Sequence, residues 1–311
     1  MNFLFLLLGF TLLIFGGNWL LKSAVDISLK LRIPKIVIGM TVVSFATSAP
    51  ELIVSIQSAM DGYTNLAVSN VIGSNIANLG FVLGITLLVT KIHVEKSFYL
   101  TDWPAMITAS LLLYVFTRND NNLGRMEGVL LFIFLIVFLV YLLKFQKQTD
   151  VQEISEEEQM IPNYQTVSFF MLGALGLWGG SELLIYGVTD LGLELGISER
   201  IIGITIISIG TSIPELAASL IAVFKKEKAI SLGNLIGSNI FNILAVLGIT
   251  AMIKPIFITD NELFSVDIYW MLGISFLILP LVFIPRRMQL ETKGGLVLLL
   301  VYLVFLYQTI T

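Results

Sequence analysis

The chain has no cysteine and a single histidine, His93, in 311 residues. The first absence removes disulfides, thiolate metal sites and Cys nucleophiles. The second leaves no His-rich site for zinc or copper and no second base for hydrolase chemistry. Charge is scarce too. Asp, Glu, Lys and Arg make up 13% of the chain and hydrophobic residues 56%, where a soluble domain has roughly 25% charged residues. With a mean hydropathy of +0.91, there is too little polar surface to coat one aqueous core. That excludes a soluble globular enzyme, a disordered tail and a fibrous protein. The net charge of −4, with basic residues scattered among loops, gives no nucleic-acid footprint. What the chain has in abundance is apolar runs long enough to cross a bilayer.

About 20 apolar residues span the hydrocarbon. Met1–Leu21 carries no charge before Lys22 and lacks the positive start of a cleavable leader, so it reads as a retained first helix. Further spans fall at 36–60, 66–90, 103–117, 126–143, 166–189, 201–224, 229–253, 266–285 and 294–309, predicting an all-α membrane protein of ten transmembrane helices. Of the 18 Lys and Arg residues, 14 lie in loops after odd-numbered helices and four, Arg118, Arg125, Arg200 and Lys254, on the other side. Positive charge favours the cytoplasm. Both termini are therefore expected outside the cell membrane and the 145–165 loop in the cytoplasm. That loop, with Glu153, Glu156, Glu157 and Glu158, lacks the Asp/Asn/Gly spacing of a calcium loop and reads as a linker rather than a cation sensor.

The stretch Ile38–Thr86 repeats at Ile202–Thr250 without a gap, with about 22 identities in 49 positions at a constant offset of 164. The weaker match extends upstream to Gly9/Gly173 and Gly16/Gly180. The chain thus divides into a first five-helix repeat (1–144), the linker (145–165) and a second five-helix repeat (166–311). Five is odd, so the second copy enters the membrane from the opposite side. Inverted copies of this kind place substrate sites near the midplane, where they meet.

Polar residues inside the spans mark that site. Glu51 and Glu215 sit mid-span, and unpaired carboxylates in hydrocarbon cost several kcal/mol each. A cation or a proton must neutralise them. Pro50 and Pro214, each just before its Glu, remove the amide that would bond the carbonyl of Ala46 or Gly210. Helices 2 and 7 are therefore expected to break or kink there, lining a cavity with freed carbonyls. Ser44, Thr47, Ser48, Glu51 and Ser55 share one face, repeated by Ser208, Thr211, Ser212, Glu215 and Ser219. In the following helices Asn70, Ser74 and Asn78 form a second stripe, mirrored by Asn234, Ser238 and Asn242. Gly73 and Gly237 beside them permit close helix approach. Such stripes can simply glue helices together, but that reading leaves the matched glutamates and prolines unexplained. The inventory of carboxylates, hydroxyls, amide oxygens and carbonyls suits hard cations, Ca²⁺ or Na⁺.

At these residues the chain resembles the calcium/cation antiporter superfamily, specifically the prokaryotic type of sodium/calcium exchanger. The elements are ATSAPE (46–51) and GSNIAN (73–78), then GTSIPE (210–215) and GSNIFN (237–242). The resemblance implies a secondary antiporter exchanging Na⁺ for Ca²⁺ by alternating access, with no enzymatic activity, no cofactor and no obligatory protein partner. It makes Glu51 and Glu215 the principal ligands and gives carbonyls of Thr47 and Thr211 a part in holding Ca²⁺. Ser44, Ser48, Ser74 and Asn78, with Ser208, Ser212, Ser238 and Asn242, would complete the Na⁺ sites. Ala46 replaces the usual glycine, a change expected to touch only local packing. Asn242 replaces the Asp of potassium-dependent relatives and points away from K⁺ dependence. A K⁺-dependent or H⁺/Ca²⁺ exchanger and a cation channel stay open as alternatives. An intramembrane hydrolase would lack a base. Helices 1 and 6, rich in glycine, are expected to slide across a core that holds the ions.

Overall fold

The computed structural model describes residues 2–118, 121–145, 160–194, 208–260 and 263–310. It is almost wholly helical. In chain order the helices are α1 (Asn2–Leu31), α2 (Lys35–Met60), α3 (Thr64–Val89), α4 (Phe98–Arg118), α5 (Arg125–Phe145), α6 (Asn163–Glu194), α7 (Ile213–Phe224), α8 (Lys228–Ile253), α9 (Ser265–Phe283) and α10 (Thr292–Ile310). Nine of the described helices are long and apolar enough to span a bilayer. The exception, α7, has 12 residues, and 201–207, which the sequence assigns to the same span, lie outside the described residues. So do Arg200 and most of the 145–165 linker with its four glutamates.

Burial sorts the helices into layers. Along α3 and α8 nearly every side chain of the inner stretch is covered, including Asn75, Ile76, Asn239 and Ile240. A helix apolar on all sides belongs in an interior or in lipid. The outer helices instead turn large apolar residues outward, among them Leu7, Phe10 and Ile14 on α1, Ile133 and Val137 on α5, and Leu300 and Val304 on α10.

The first helix exceeds the expected Met1–Leu21 and continues to Leu31, past Lys22, Asp26 and Lys30. Buried Asp26 is compensated where it lies. Its carboxylate meets Lys30 Nζ at 2.6 Å and accepts hydrogen bonds from Thr166 Oγ1 and, at 2.9 Å, from the Ile161 amide. This clasp ties α1 to the start of α6.

Along the rest of α1 and α6 the helices touch backbone to backbone. A Cβ on Gly16 would lie 2.7 Å from Leu177 N, one on Gly176 2.9 Å from Gly16 Cα, and one on Gly180 2.9 Å from Gly9 O. Most of the glycines of the two helices thus face each other rather than the core across which the helices are expected to slide. Gly9, Gly16, Gly173, Gly176 and Gly180 join α1 to α6. Gly17 alone of the α1 glycines looks toward α7, at Ile221.

Two short ladders mirror each other across the repeats. β1 (Ile92–His93) pairs antiparallel with β4 (Gln289–Leu290), and β2 (Asn122–Leu123) with β3 (Ile256–Phe257). Each joins a loop of one copy to a loop of the other, and β1 and β3 are themselves related by the offset of 164. Both strands of the first pair follow odd-numbered helices and both strands of the second follow even-numbered ones, as a two-fold axis in the membrane plane requires.

Candidate functional site

The two proline positions behave differently. In the first copy the chain passes from a wide turn at Gly39–Val43 into a helix, Ser44–Met60, that runs unbroken through Pro50. The expected break in helix 2 is absent, because loss of one amide leaves the flanking bonds in place. In the second copy helix 7 does break. A single turn at Ser208–Gly210 ends, the Ser212 amide bonds back three residues to Ile209 O (3.0 Å), and α7 starts afresh at Ile213 with Pro214 in its first turn. There proline needs no partner for its missing amide.

Sequence differences between the copies account for the contrast. The carbonyl that Pro214 leaves unbonded, that of Gly210, accepts a hydrogen bond from Ser181 Oγ on α6 at 2.9 Å. At the matching place in the first copy stands Gly17, which has no hydroxyl to offer. Gly210 itself is packed so closely that a Cβ would lie 2.6 Å from Ile185 Cδ1, while Ala46 at the matching position is buried in an apolar cluster. The Ala46/Gly210 difference thus belongs to the break as well as to local packing.

Glu51 and Glu215 are both 0% exposed. They interact electrostatically across the interface between the copies, and among the described residues no basic side chain acts on either. All four carboxylate oxygens lack a hydrogen-bond partner among the described residues, as do Ser48 Oγ, Ser212 Oγ, both amide atoms of Asn78 and Asn242 Oδ1. The hydroxyls of Thr47, Ser238 and Ser48 face Glu215, yet none closes on it as a hydrogen bond. Native interiors leave few buried polar atoms unsatisfied. Orphaned oxygens around two buried carboxylates are costly unless a cation or a proton neutralises them.

The rest of the inventory holds that cluster together in symmetric pairs. Thr47 Oγ1 lies 3.2 Å from Ser238 Oγ, and its counterpart Thr211 Oγ1 lies 3.1 Å from Ser74 Oγ. Asn70 Nδ2 donates to Ser55 Oγ at 3.2 Å, and Asn234 Nδ2 to Ser219 Oγ at 3.2 Å. Ser44 Oγ donates to Gly39 O and to Asn234 O, at 2.8 and 2.9 Å. The structure therefore brings Ser44, Thr47, Ser74, Thr211 and Ser238 into bonds that cross between the copies or cap the wide turn. The side chain of Ser208 lies outside the described residues.

Sequence reasoning missed three residues. Ser181 was invisible because its partner, Gly210, is on another helix. Asn75 and Asn239 are both 1% exposed, and the Asn75 amide bridges the copies, from the Asn239 carbonyl to Asn242 Nδ2. Their signal was present, since they match at the offset of 164 within GSN.

Known proteins resemble this arrangement along its length. The model of the sodium/calcium exchanger protein family matches residues 1–144 and 166–311. The chain is 37% identical to the candidate antiporter CaxA of Alkalimonas amylolytica, over 98% of this chain and 97% of that one. It is 30% identical to the sodium/calcium exchanger MaX1 of Methanosarcina acetivorans, over 98% and 97%. A solved structure of the sodium-calcium exchanger NCX_Mj, soaked with zero Na⁺ and Ca²⁺, superposes with a TM-score of 0.83 at 25% identity, covering 99% of this chain and 98% of that one. With inverted repeats, buried paired glutamates and these relatives in agreement, the chain belongs to the sodium/calcium exchanger family of membrane antiporters.

Proposed function

We propose that this antiporter exchanges Na⁺ for Ca²⁺ at a midplane site whose principal ligands are Glu51 and Glu215. Thr47 and Thr211 would help hold Ca²⁺. Ser44, Ser48, Ser74, Asn78, Ser208, Ser212, Ser238 and Asn242 would complete the Na⁺ positions. The observation that carries the reading is the pair of fully buried carboxylates, one from each repeat, whose oxygens have no hydrogen-bond partner among the described residues while neutral oxygens surround them. Two negative charges balance one Ca²⁺. Several Na⁺ replace it by drawing on the hydroxyl and amide oxygens, and the doubly charged site resists closing over apolar walls unless one set is bound. Asn at both 78 and 242 supports exchange without K⁺.

The test is Ca²⁺ uptake into Na⁺-loaded proteoliposomes, with and without K⁺ and with an imposed pH gradient. Uptake should require the Na⁺ gradient, need no K⁺ and not be driven by the pH gradient. Uptake driven by K⁺ or by protons without Na⁺ overturns the proposal, and so does a flux uncoupled from any gradient.

Protons should compete for the same two carboxylates. Acidification is expected to raise the half-saturating Ca²⁺ while leaving the rate at saturating Ca²⁺ unchanged. A half-saturation constant flat across the acid range would count against a carboxylate site.

Alternating access would move α1 and α6 together across α2, α3, α7 and α8, with both termini outside and the linker in the cytoplasm. The glycine contacts and the Asp26 clasp support joint motion, because neither helix can slide along the other without parting backbone from backbone. The cysteine-free chain accepts spin labels at introduced cysteines without background. A pair at Leu8 and Tyr186, both exposed, should keep one distance in Na⁺ and in Ca²⁺. A pair at Leu8 and exposed Ile53 should change it. The reverse pattern would mean that α1 and α6 move independently.

A further inference from the structure

The two repeats are mirrored in sequence at Asn75–Asn78 and Asn239–Asn242, but their amides are wired differently. Asn75 Nδ2 donates to the Asn239 carbonyl at 3.2 Å, with Met271 Sδ at 3.8 Å, and Asn75 Oδ1 accepts a hydrogen bond from Asn242 Nδ2 at 3.1 Å. Asn239, the counterpart of Asn75, turns its Nδ2 back into its own helix, onto Leu235 O at 2.7 Å. Asn242 is therefore held by its nitrogen. Asn78 has neither amide atom bonded among the described residues.

This difference has a chemical consequence. An asparagine amide presents either an oxygen, which binds a cation, or an NH₂, which repels one. Once Asn75 takes Asn242 Nδ2, the Oδ1 must lie on the opposite side of the amide. That oxygen is buried and unbonded. It stands one helical turn beyond Ser238, whose hydroxyl meets Thr47, on the face that carries the polar stripe. Asn78 has no such restraint.

We propose that Asn75 is a positioning residue for ion exchange. By occupying the amide nitrogen of Asn242 it fixes that residue's oxygen toward the Na⁺ positions, so the second repeat supplies a pre-oriented neutral ligand and the first an adaptable one. The proposal rests on the reading of Asn242 as a Na⁺ ligand. It adds the means by which an asparagine, rather than an aspartate, serves there. A carboxylate presents an oxygen whichever way it turns; an amide needs a second residue to orient it. A site with one fixed and one free amide also holds its Na⁺ ions unequally, although the sequence motifs are the same.

The test measures half-saturating Na⁺ and half-saturating Ca²⁺ separately in proteoliposomes. Asn75→Ala should raise half-saturating Na⁺ roughly two- to tenfold, the worth of one hydrogen bond, while half-saturating Ca²⁺ moves less than about twofold. In an Asn242→Ala background the same change should add nothing, since the two residues act as one unit. Buried and protonated, the side chain of Asn75→Asp keeps the shape, the acceptor for Asn242 and a donor for the Asn239 carbonyl, so its half-saturating Na⁺ should be no more than about twice the wild-type value, which also covers the case in which Asn75→Ala does not fold. Equal shifts for Na⁺ and Ca²⁺ would overturn the proposal, as would additive effects in the double variant or an Asn75→Asp protein as impaired as Asn75→Ala. If Asn242→Ala alone leaves the Na⁺ dependence unchanged, the ligand reading fails. If Asn242→Ala shifts it and Asn75→Ala does not, the positioning role alone fails.

Discussion

Glu51→Gln and Glu215→Gln are each expected to abolish Na⁺-driven Ca²⁺ uptake while leaving the fold intact. Removing one charged partner from a buried ionic cluster costs about 3–5 kcal/mol, which is more than two decades of affinity. Gln is close to isosteric with Glu, and the backbone at both positions is ordinary helix, so no packing is lost. Without ions the variants should be at least as stable as the parent, because a neutral amide is easier to bury than a carboxylate facing a like charge. That separates a lost site from a lost fold. Melting in detergent should show the parent stabilised by millimolar Ca²⁺, as mass action requires of a ligand that binds only the native state. Neither variant should respond. Normal uptake by either, or an undiminished Ca²⁺ shift, would remove the carboxylate pair from the mechanism.

The sequence makes the helices legible because each is a local matter of apolar length. It makes the candidate site legible because polar residues in hydrocarbon are conspicuous and a repeat doubles the signal. Glu51, Glu215, Thr47, Ser74, Thr211 and Ser238 all come from that reasoning, and the structure brings them to one interface. What stayed hidden depends on partners from distant segments. Pro50 and Pro214 look equivalent, yet only the second stands at a helix break, where a hydroxyl at Ser181 reaches across from α6 to Gly210. The glycines of α1 and α6 announce close contact without naming the partner, and the structure shows it to be each other. Asn75 and Asn239 are identical in type and spacing, so nothing local says which donates across the interface and which into its own helix. The apolar run ends at Leu21, before Lys22, and the longer α1 rests on distant partners: Asp26 pairs with Lys30 and accepts hydrogen bonds from Thr166 and Ile161.

Gly237→Ala should be nearly as damaging as loss of a glutamate, for a reason unrelated to charge. Here α8 crosses α2 backbone to backbone. An added Cβ would lie 2.5 Å from Met40 Cα and 2.7 Å from Met40 O, and would also strike Ser44 Oγ. Gly39 repeats the contact from the other side, where a Cβ would lie 2.5 Å from Ile230 O. A flexible side chain can step aside, but a helix backbone cannot, so one methyl group must push α2 and α8 apart. Such overpacking costs about 1–3 kcal/mol, and the displacement falls on the bonds that assemble the site. These are Ser44 to Asn234 O at 2.9 Å, Thr47 to Ser238 at 3.2 Å and Thr47 to Asn234 Oδ1 at 3.2 Å. Uptake should drop roughly five- to hundredfold and the melting temperature should fall with it. The control is the same substitution at Gly273, where a Cβ meets nothing within 4 Å. Gly273→Ala also improves helix propensity and should leave transport unchanged with stability equal or slightly raised. Equal tolerance at both positions would mean that α2 and α8 are not the close-packed pair around which the ions are held.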